Sequence, residues 1–382
     1  MKLDTTHPSL SDLARRARRR LPHFVWEYLE SGTGDDVAVT NNRAALDAIR
    51  LVPRPLTGKV EPRLETEFLG ETYALPVGFA PVGMSGLIWP GAEVSLAKEA
   101  ARARVPYCLS TVAATTPEAV GPHTGGMGWY QLYPPGDAEI RKDMLERAWT
   151  AGFHTLILTA DVPVASRRER LRRAGITNPM KFTPKIVLDC ALHPEWSLTR
   201  LSRGIPRLET LEKYAEIGTS RSGTEHIGYL LRTVPDADYV KALRDLWPGK
   251  LVVKGVLDPA VAQGMGALGA DAIWVSNHGG RQFDAAPAAI EILPVIREAV
   301  GPDMPLIFDS GIASGTDILR AFAMGADFTF VGRAPHYGLA AFGSRGVAHV
   351  LDILRGSLEA DMGQMGIVRP GEARARLAPR PG

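Results

Sequence analysis

The sequence predicts an α/β protein, a closed (β/α)8 TIM barrel with a long insertion after strand 4. The first observation behind this prediction is that short apolar runs recur with helical patterns between them, the alternation typical of parallel strands joined by crossover helices. Eight such runs are present, enough to close a barrel. They are Val77–Ala80, Val105–Leu109, Gly128–Leu132, Thr155–Leu158, Leu251–Lys254, Ala272–Val275, Pro305–Phe308 and Phe328–Val331.

The second observation is that nearly every run ends in a residue type that binds ligands or reacts. The C-terminal ends of the strands form one face of a barrel, its rim, so these residues would meet around a shared ligand. An open, doubly wound sheet is the alternative, but it does not explain why nearly every strand ends in a residue of this kind. The endings are Ser110, Gln131 with Tyr133, Thr159 with Asp161, Lys254, Ser276 with His278, Asp309, and Gly332 with Arg333.

Composition argues against several classes of protein. The 382 residues are 45% hydrophobic and can bury a large core, and we expect one domain over 1–382 with an N-terminal helical segment at 1–60. A net charge of +2 argues against a nucleic-acid surface. Cys108 and Cys190 lack metal-ligand spacing and cannot form a disulfide framework, which favours a reducing, cytoplasmic compartment and no metal site. We expect no export signal and no membrane span, because no apolar stretch reaches the required length.

About ninety residues separate the fourth and fifth runs, too many for an ordinary connection. We interpret residues 167–232 as a mobile insertion over the rim. It opens with five arginines and continues with proline, aromatic and aliphatic residues, which fits either a solvated helix face or a segment on an anionic membrane surface. The arginines are Arg167, Arg168, Arg170, Arg172 and Arg173, and the apolar residues include Met180, Phe182, Ile186, Val187, Leu188 and Trp196.

The stretch Ser276–Gln282 carries the strongest functional signal. It follows a buried run and places the imidazole of His278 three residues before the guanidinium of Arg281. Its two glycines let the backbone approach a ligand closely. This composition predicts a base and an anion clamp on one loop, whereas a capped turn with a solvated arginine is the structural alternative.

Other strand ends complete this prediction. The loop Asp309–Gly315 and the pair Gly332–Arg333 resemble a phosphate cradle, since a helix beginning near Ser314 would present oriented N–H groups to an anion. Lys254 would bring an ammonium to the rim, and Asp161 could orient a neighbouring imidazole and stabilise its protonated form.

Over nearly the whole chain, the sequence resembles the FMN-dependent α-hydroxy-acid dehydrogenase and oxidase family, which includes glycolate oxidase, lactate dehydrogenase and mandelate dehydrogenase. The Ser276–Gln282 stretch is similar to the active-site signature of that family. Further matching motifs are Leu21–Pro22 followed by Tyr28, Ala80–Gly83, Leu109–Thr111, Gln131–Tyr133, Thr159–Asp161, Val253–Gly255, the Asp309 loop and Gly332–Arg333.

The resemblance implies FMN as the cofactor and a role for each matching residue. His278 would be the base with Asp161 as its partner, and Tyr133 would bond the substrate hydroxyl. Arg281 and Tyr28 would hold the substrate carboxylate, assisted by Arg168 at the mouth. Lys254 would lie at the flavin N1/O2 edge. The other cofactor-binding residues would be Pro81, Val82, Gly83, Ser110, Gln131, Thr159 and Ser276, with Asp309, Ser310, Gly311, Gly332 and Arg333 at the phosphate.

The chain also departs from the family pattern. Ala313 stands where the family often has an arginine aimed at the phosphate, which implies looser FMN binding. Val112 replaces the tryptophan of glycolate oxidase and removes bulk near the substrate. Similarity to the bacterial mandelate dehydrogenase branch is carried by Gly83, Leu87–Pro90, Ile186–Asp189, His193–Trp196 and Leu246–Pro248.

The resemblance therefore implies oxidation of an L-2-hydroxy acid, with an (S)-mandelate-like aromatic substrate favoured over lactate. Electrons would pass to a quinone or another respiratory acceptor, from a homo-oligomer such as a tetramer on the inner face of the plasma membrane. A peroxide-forming oxidase and a flavin-binding scaffold without catalysis are the alternatives.

Overall fold

A computed structural model describes residues 3–176, 183–204, 206–215 and 233–379. Eight parallel strands pair in chain order, and the last pairs with the first, so that the barrel is closed. This confirms the predicted fold, and each of the eight apolar runs overlaps one strand. The barrel strands are β3 (Val77–Phe79), β4 (Tyr107–Ser110), β5 (Gly128–Leu132), β6 (Thr155–Thr159), β7 (Lys250–Lys254), β8 (Ala272–Val275), β9 (Leu306–Phe308) and β10 (Phe328–Val331).

The strands are buried on both faces, because helices cover the outside and side chains fill the inside. Aromatic rings dominate the interior: Trp274 lies 4.3 Å from Phe330 and Phe330 lies 5.1 Å from Trp129, measured between ring centroids. The barrel is thus a packed core, and ligands can reach it only from its ends.

A short hairpin closes the N-terminal end of the barrel. Its strands are β1 (Thr66–Phe68) and β2 (Glu71–Tyr73). Phe68 stacks on Phe328 with ring centroids 5.0 Å apart, and the Tyr73 hydroxyl accepts a hydrogen bond of 3.2 Å from Trp129 Nε1. This hairpin was not predicted from the sequence, because three-residue strands carry almost no periodicity.

Helices surround the barrel and precede it. The N-terminal helices are α1 (Leu3–Thr6), α2 (Leu10–Arg20), α3 (His23–Glu30) and α4 (Val37–Ala48), of which α2 begins at a capping box made by Ser9 and Asp12. Those between β3 and β6 are α5 (Ser85–Ile88), α6 (Ala92–Ala103), α7 (Pro117–Val120) and α8 (Ala138–Thr150). Those after β7 are α14 (Pro259–Gly264), α15 (Ala289–Val300), α16 (Gly315–Ala323), α17 (Arg333–Phe342) and α18 (Ser344–Met365).

The insertion lies between β6 and β7 and is described in part. Its helices are α9 (Glu169–Arg173), α10 (Pro184–Leu192), α11 (Pro194–Arg203) and α12 (Glu209–Ala215), followed by α13 (Ala237–Leu246). Trp196 anchors it, since its Nε1 donates to Leu87 O at 3.2 Å and Ile88 O at 3.1 Å. Met180, Phe182 and residues 216–232 of the predicted insertion lie outside the described residues. Within the described ranges, no helix is long and apolar enough to cross a membrane.

An ion pair fixes α4 beside the loop after β9. Arg43 donates from both Nη atoms to the two carboxylate oxygens of Asp317 at 2.8 Å, and from Nη1 to Gly311 O at 3.0 Å. The Asp317 side chain is only 1% exposed. Burial disfavours its charge, but the bonds from Arg43 and from Ala313 N outweigh burial and hold the pKa of its carboxyl below the usual range.

We expect Asp317→Asn to lower the free energy of unfolding by about 3 kcal/mol near neutral pH, because it leaves Arg43 without its buried partner. A carboxyl whose pKa is lower in the folded state stabilises the protein above its unfolded pKa, and this stabilisation is lost as the pH falls through the folded value. The difference between wild type and variant should therefore shrink below about pH 4. Urea unfolding at a series of pH values measures it, and a pH-independent difference would contradict the ion-pair account.

Candidate active site

Polar side chains form a hydrogen-bonded row across neighbouring strand ends. Ser110 faces Gln131 in register across β4 and β5. Its hydroxyl donates to Gln131 Oε1 at 2.7 Å, and Gln131 Nε2 donates to Thr159 Oγ1 at 2.9 Å. All three side chains are buried, so the row is a preorganised set of donors and acceptors at the rim.

Lys254 continues the row on β7. Its Nζ donates to Ser276 Oγ at 2.7 Å and lies 3.2 Å from a carboxylate oxygen of Asp309, and its side chain is 4% exposed. The ammonium also lies 5.2 Å from the centre of the Trp274 ring. A buried cation thus sits at the rim with one acidic partner.

His278 and Asp161 form the predicted pair. His278 Nδ1 lies 3.1 and 3.2 Å from the two oxygens of Asp161, and only 19% and 13% of the two side chains are exposed. Burial disfavours the Asp161 charge, but His278 and then Lys254 outweigh it and lower the pKa of that carboxyl. The carboxylate therefore accepts the Nδ1 proton, which leaves Nε2 to act as a base.

Backbone shape permits this pairing. Gly255 has a φ of +96°, and a Cβ there would lie 2.4 Å from the Asp161 side chain, so only glycine fits beside the pair. His278 itself has a φ of +57°, a left-handed conformation that strains a non-glycine residue. Strain of this kind persists only where the surrounding structure enforces it.

A pair of asparagines holds the backbone next to His278 in place. Asn277 and Asn42 exchange two side-chain hydrogen bonds of 2.8 Å, and Asn277 Oδ1 also accepts from Gly280 N at 3.2 Å. His278 N donates to Ser276 Oγ at 3.0 Å. Neither asparagine was predicted as a functional residue, because a contact between residues 235 positions apart leaves no pattern in the sequence around either of them.

Three arginines converge on the C-terminal end of α3. Arg281 donates to Leu29 O and Tyr28 O at 2.9 Å, and Arg168 donates to Tyr28 O at 2.9 Å. Arg333 donates to Glu30 O at 3.1 Å and also to Gly279 O at 3.2 Å. The carbonyls at a helix C-terminus carry partial negative charge, which compensates part of the positive charge here.

The α3 carbonyls compensate only part of the positive charge of the three arginines. Burial lowers the pKa of Arg281 to about 9, and the charges of Arg168 and Arg333 add to this effect. In the described part of the chain, no carboxylate forms an ion pair with Arg281 or Arg168, and Arg168 Nε is buried without a hydrogen-bond partner. The arrangement therefore favours the arrival of an anion.

Tyrosines line the same region. The Tyr28 hydroxyl donates to Gly83 O at 2.8 Å, and its ring lies 5.8 and 5.9 Å from the guanidinium carbons of Arg281 and Arg168. Tyr133 is held by a bond of 3.2 Å from its backbone N to Thr111 Oγ1. Burial, reinforced by the charge of Asp161, raises the pKa of Tyr133, so its hydroxyl keeps its proton.

The predicted phosphate loop has the shape of an anion cradle. Ser310 and Gly311 have φ values of +84° and +107°. Helix α16 begins at Gly315 with Ser314 as its N-cap, next to the predicted start, and Ala313 is exposed. Arg333 donates to the carbonyls of Leu29, Glu30 and Gly279. In the structure it therefore lies with Arg281 and Arg168 at the end of α3.

Pro81, Val82 and Gly83 form the loop after β3 and lie close to the loop after β4. A Cβ on Gly83 would lie 2.5 Å from Val112 Cγ2, which places these two residues side by side. The resemblance-derived residues thus surround the same rim as the residues chosen from strand ends.

Comparison with known proteins identifies relatives over almost the whole chain. A family model described as FMN-dependent dehydrogenase matches residues 17–378. The (S)-mandelate dehydrogenase of Pseudomonas putida is 36% identical over 362 residues, covering 94% of this chain and 90% of that protein. The L-lactate dehydrogenase of Pseudomonas syringae pv. syringae (strain B728a) is 36% identical over 363 residues, covering 94% and 95%.

Solved structures agree with these matches. The crystal structure of the monotopic membrane protein (S)-mandelate dehydrogenase superimposes with a TM-score of 0.91 and 34% identity, covering 97% of this chain and 99% of that chain. A mandelate oxidase variant with 2-hydroxy-phenylacetamide gives a TM-score of 0.81 and 31% identity, covering 98% of both chains. Both dehydrogenases and oxidases therefore occur among the relatives.

The rim residues fit FMN, the cofactor of the matched family. The buried row of Ser110, Gln131 and Thr159 offers donors and acceptors suited to the polar edge of a flavin ring. Lys254 adds a buried cation beside that row. The positive-φ loop at Gly311 and the N-terminus of α16 suit a phosphate.

We expect Ala313→Arg to slow the loss of FMN about three- to tenfold, because an exposed residue beside the cradle gains a cation that can reach the phosphate. The rate is measured by the recovery of flavin fluorescence after dilution. Ala375→Arg is the matched control, since it adds the same charge at an exposed position of the 3-10 helix Pro370–Arg376, whose Arg374 lies beside Gly325, just after the C-terminal end of α16. Equal release from the two variants would contradict the assignment of the phosphate to this loop.

Proposed function

The chain belongs to the FMN-dependent dehydrogenase family, and we propose that it oxidises an aromatic L-2-hydroxy acid resembling (S)-mandelate to the 2-oxo acid. At the family level, it is an FMN-dependent 2-hydroxy-acid dehydrogenase or oxidase, an oxidoreductase acting on CH–OH donors. The observation that carries the assignment to a 2-hydroxy acid is the His278–Asp161 pair beside Arg281, whose buried positive charge is only partly compensated. A base and an anion clamp are the two groups that a hydroxy acid requires.

The substrate carboxylate binds to Arg281 and Arg168. Their guanidinium groups are already oriented by the α3 carbonyls, so little side-chain entropy is lost when the anion arrives. A planar guanidinium matches a carboxylate bidentately, and the buried, unpaired Nε of Arg168 gains a partner. Tyr28 completes the carboxylate site.

His278 takes the proton that leaves the substrate. Asp161 accepts the Nδ1 hydrogen, so Nε2 carries the lone pair that reaches the hydroxyl or the α-carbon. The lowered pKa of Asp161 keeps its charge in place, and this charge stabilises the imidazolium formed during turnover. Tyr133, which keeps its proton, orients the substrate hydroxyl.

FMN, when bound, accepts the two electrons removed from the hydroxy acid. Lys254 would lie at its N1/O2 edge, where a cation stabilises negative charge. Ser110, Gln131, Thr159 and Ser276 would bond the ring and ribityl chain, and Pro81, Val82 and Gly83 would line it. The phosphate end would be held by Asp309, Ser310, Gly311, Gly332 and Arg333.

An aromatic substrate is favoured over lactate for two reasons. The structural match to (S)-mandelate dehydrogenase has a TM-score of 0.91. Val112 lies beside Gly83 at the rim, so a small aliphatic side chain and a glycine leave room where a larger residue would close the site. L-lactate remains the second candidate, since a relative named L-lactate dehydrogenase is equally identical.

Anaerobic mixing with (S)-mandelate tests this proposal. We expect the flavin absorbance to bleach faster with (S)-mandelate than with L-lactate, and the bleached flavin to reoxidise slowly when air is admitted. Rapid reoxidation with peroxide formation would identify an oxidase. Faster bleaching by L-lactate would identify a lactate dehydrogenase, and no bleaching with either acid would identify a flavin-binding protein without this activity.

His278→Asn should slow flavin reduction by about 10²- to 10⁴-fold, the loss typical of a missing general base. The flavin spectrum and the binding of a carboxylate inhibitor should change little. Anaerobic stopped-flow reduction, run beside thermal melts, measures these effects. A variant that still reduces its flavin at nearly the wild-type rate would remove His278 from the mechanism.

Arg281→Lys is the matched comparison for His278→Asn. It keeps a positive charge but loses the bidentate fork, so a carboxylate inhibitor should bind more weakly by about 1.5 to 3 kcal/mol. If both variants instead lowered the melting temperature and loosened FMN without a selective kinetic or binding defect, the two residues would serve only to hold the loop.

A membrane-facing role for the insertion completes the proposal. Large apolar side chains on α10 and α11 project into solvent, including Leu192 at 69% and Leu201 at 80% exposure. The exposed Lys185 and Arg203 accompany them. Two members of the basic run turn inward, because Arg168 bonds α3 and Arg170 pairs with Glu27. A basic and apolar surface of this kind suits an anionic bilayer and would bring the rim close to a membrane quinone.

We expect the protein to co-sediment with anionic phosphatidylglycerol vesicles at low salt, and Leu192→Asp with Leu201→Asp to abolish this binding. Leu56→Asp is the control, since Leu56 is fully exposed in a loop outside the insertion. Absence of vesicle binding, or equal binding by the control and the double variant, would mean that the insertion serves only as a cover for the rim.

A further inference from the structure

A buried histidine and serine lie behind the loop after β3. His336 on α17 and Ser85 at the start of α5 are each only 2% exposed. His336 Nε2 lies 2.8 Å from Ser85 Oγ, and His336 Nδ1 lies 2.8 Å from Gly332 O. Ser85 Oγ also lies 2.9 Å from Val82 O. The pair therefore connects the end of β10 to the loop that precedes α5.

The two nitrogens of His336 have different hydrogen-bonding roles. A carbonyl can only accept, so His336 Nδ1 carries a hydrogen and donates to Gly332 O. Burial lowers the pKa of His336 to about 4, with the charge of Arg281 adding to the effect and the bond to Gly332 opposing it. The imidazole is therefore neutral near pH 7, and its Nε2 is an acceptor.

The Ser85 hydroxyl then has one proton for two acceptors. His336 Nε2 and Val82 O are both within hydrogen-bond distance of it. A proton shared between the two acceptors, as in a three-centre hydrogen bond, keeps both contacts attractive, so the imidazole limits where the serine, and through it the Val82 carbonyl, can move.

The tethered loop needs such support. Met84 has a φ of +49°, a strained conformation for a methionine. The neighbouring carbonyls are tied separately, since Gly83 O accepts from the Tyr28 hydroxyl at 2.8 Å and Val112 O accepts from Met84 N at 2.8 Å. Val82 O has its tether in Ser85.

We propose that His336 is a positioning residue for FMN, which acts through Ser85 to hold the main chain of Val82 and Gly83 in the conformation that receives the flavin. The inference rests on the proposed function in assigning Val82 and Gly83 to the cofactor. His336 also donates to Gly332 O, four residues earlier at the N-cap of its own helix, and this bond orients the imidazole towards Ser85.

Two substitutions of His336 separate its contacts. His336→Gln can keep a polar atom near the position of Nε2 and hence the contact with Ser85, whereas His336→Asn can reach Gly332 O but is too short for Ser85. If His336 holds the loop after β3 through Ser85, His336→Asn and Ser85→Ala should each release FMN about five- to tenfold faster, the effect of one lost hydrogen bond. His336→Gln should stay within about twofold of wild type. The change in the visible flavin spectrum relative to wild type should follow the same order, with His336→Asn and Ser85→Ala changed more than His336→Gln.

His349→Asn is the matched control, because His349 is another buried helix histidine, 5% exposed, whose Nε2 bonds His7 O at 2.8 Å. It should destabilise the protein without changing FMN release. Equal release from the Gln and Asn variants, or wild-type release from Ser85→Ala, would overturn the proposal. Ser85→Ala removes a single oxygen atom, so wild-type release from it overturns the proposal even if His336→Asn fails to fold.

FMN release and the flavin spectrum need no substrate. A protein that binds FMN but is not reduced by any 2-hydroxy acid would refute the proposed function, while the ordering of these variants would still support or overturn the role of His336.

Discussion

The surplus of positive charge at the end of α3 is the constraint on which the site depends. Arg281, Arg168 and Arg333 lie together where burial weakens their hydration, and the burial and like charges lower the pKa of Arg281 to about 9. Within the described residues, the α3 carbonyls and the Ser31 hydroxyl are the hydrogen-bond acceptors of the Arg281 and Arg168 guanidinium groups. The N-terminal segment is therefore electrostatically part of the active site, since moving α3 would leave the guanidinium groups both buried and unpaired.

A second constraint is the strained backbone of the catalytic loop. His278 adopts a left-handed conformation, and the Asn277–Asn42 pair holds the adjoining residue from α4. That helix is fixed in turn by the Arg43–Asp317 ion pair beside the cofactor loop. A helix that precedes the barrel in sequence thus helps to determine the orientation of His278, the proposed base, and the barrel strands alone would not.

The sequence predicted the barrel because its signals are local: each strand is a short apolar run, and each ends in the residue it presents to the rim. His278 and Asp161 were predictable as a pair for the same reason, since each follows a strand. The partners of Arg333 were not, because a guanidinium can reach several anions and its choice of the α3 carbonyls depends on packing. The asparagine pair and the His336–Ser85 contact were missed because they join residues far apart in sequence. The hairpin that closes the barrel was missed because its three-residue strands carry almost no periodicity.

The two ends of the rim differ in how their charges are balanced. Lys254 has Asp309 at 3.2 Å, so the cation that would lie beside the flavin under the proposed function already has an acidic partner before any ligand binds. Arg281 has no such partner in the described part of the chain, so its field acts on an incoming anion with little opposition. A hydroxy acid would therefore be oriented with its carboxylate towards the arginines and its hydroxyl towards His278. Under the proposed function, this asymmetry of charge orients the substrate, because the opposite orientation would leave Arg281 buried without an anion.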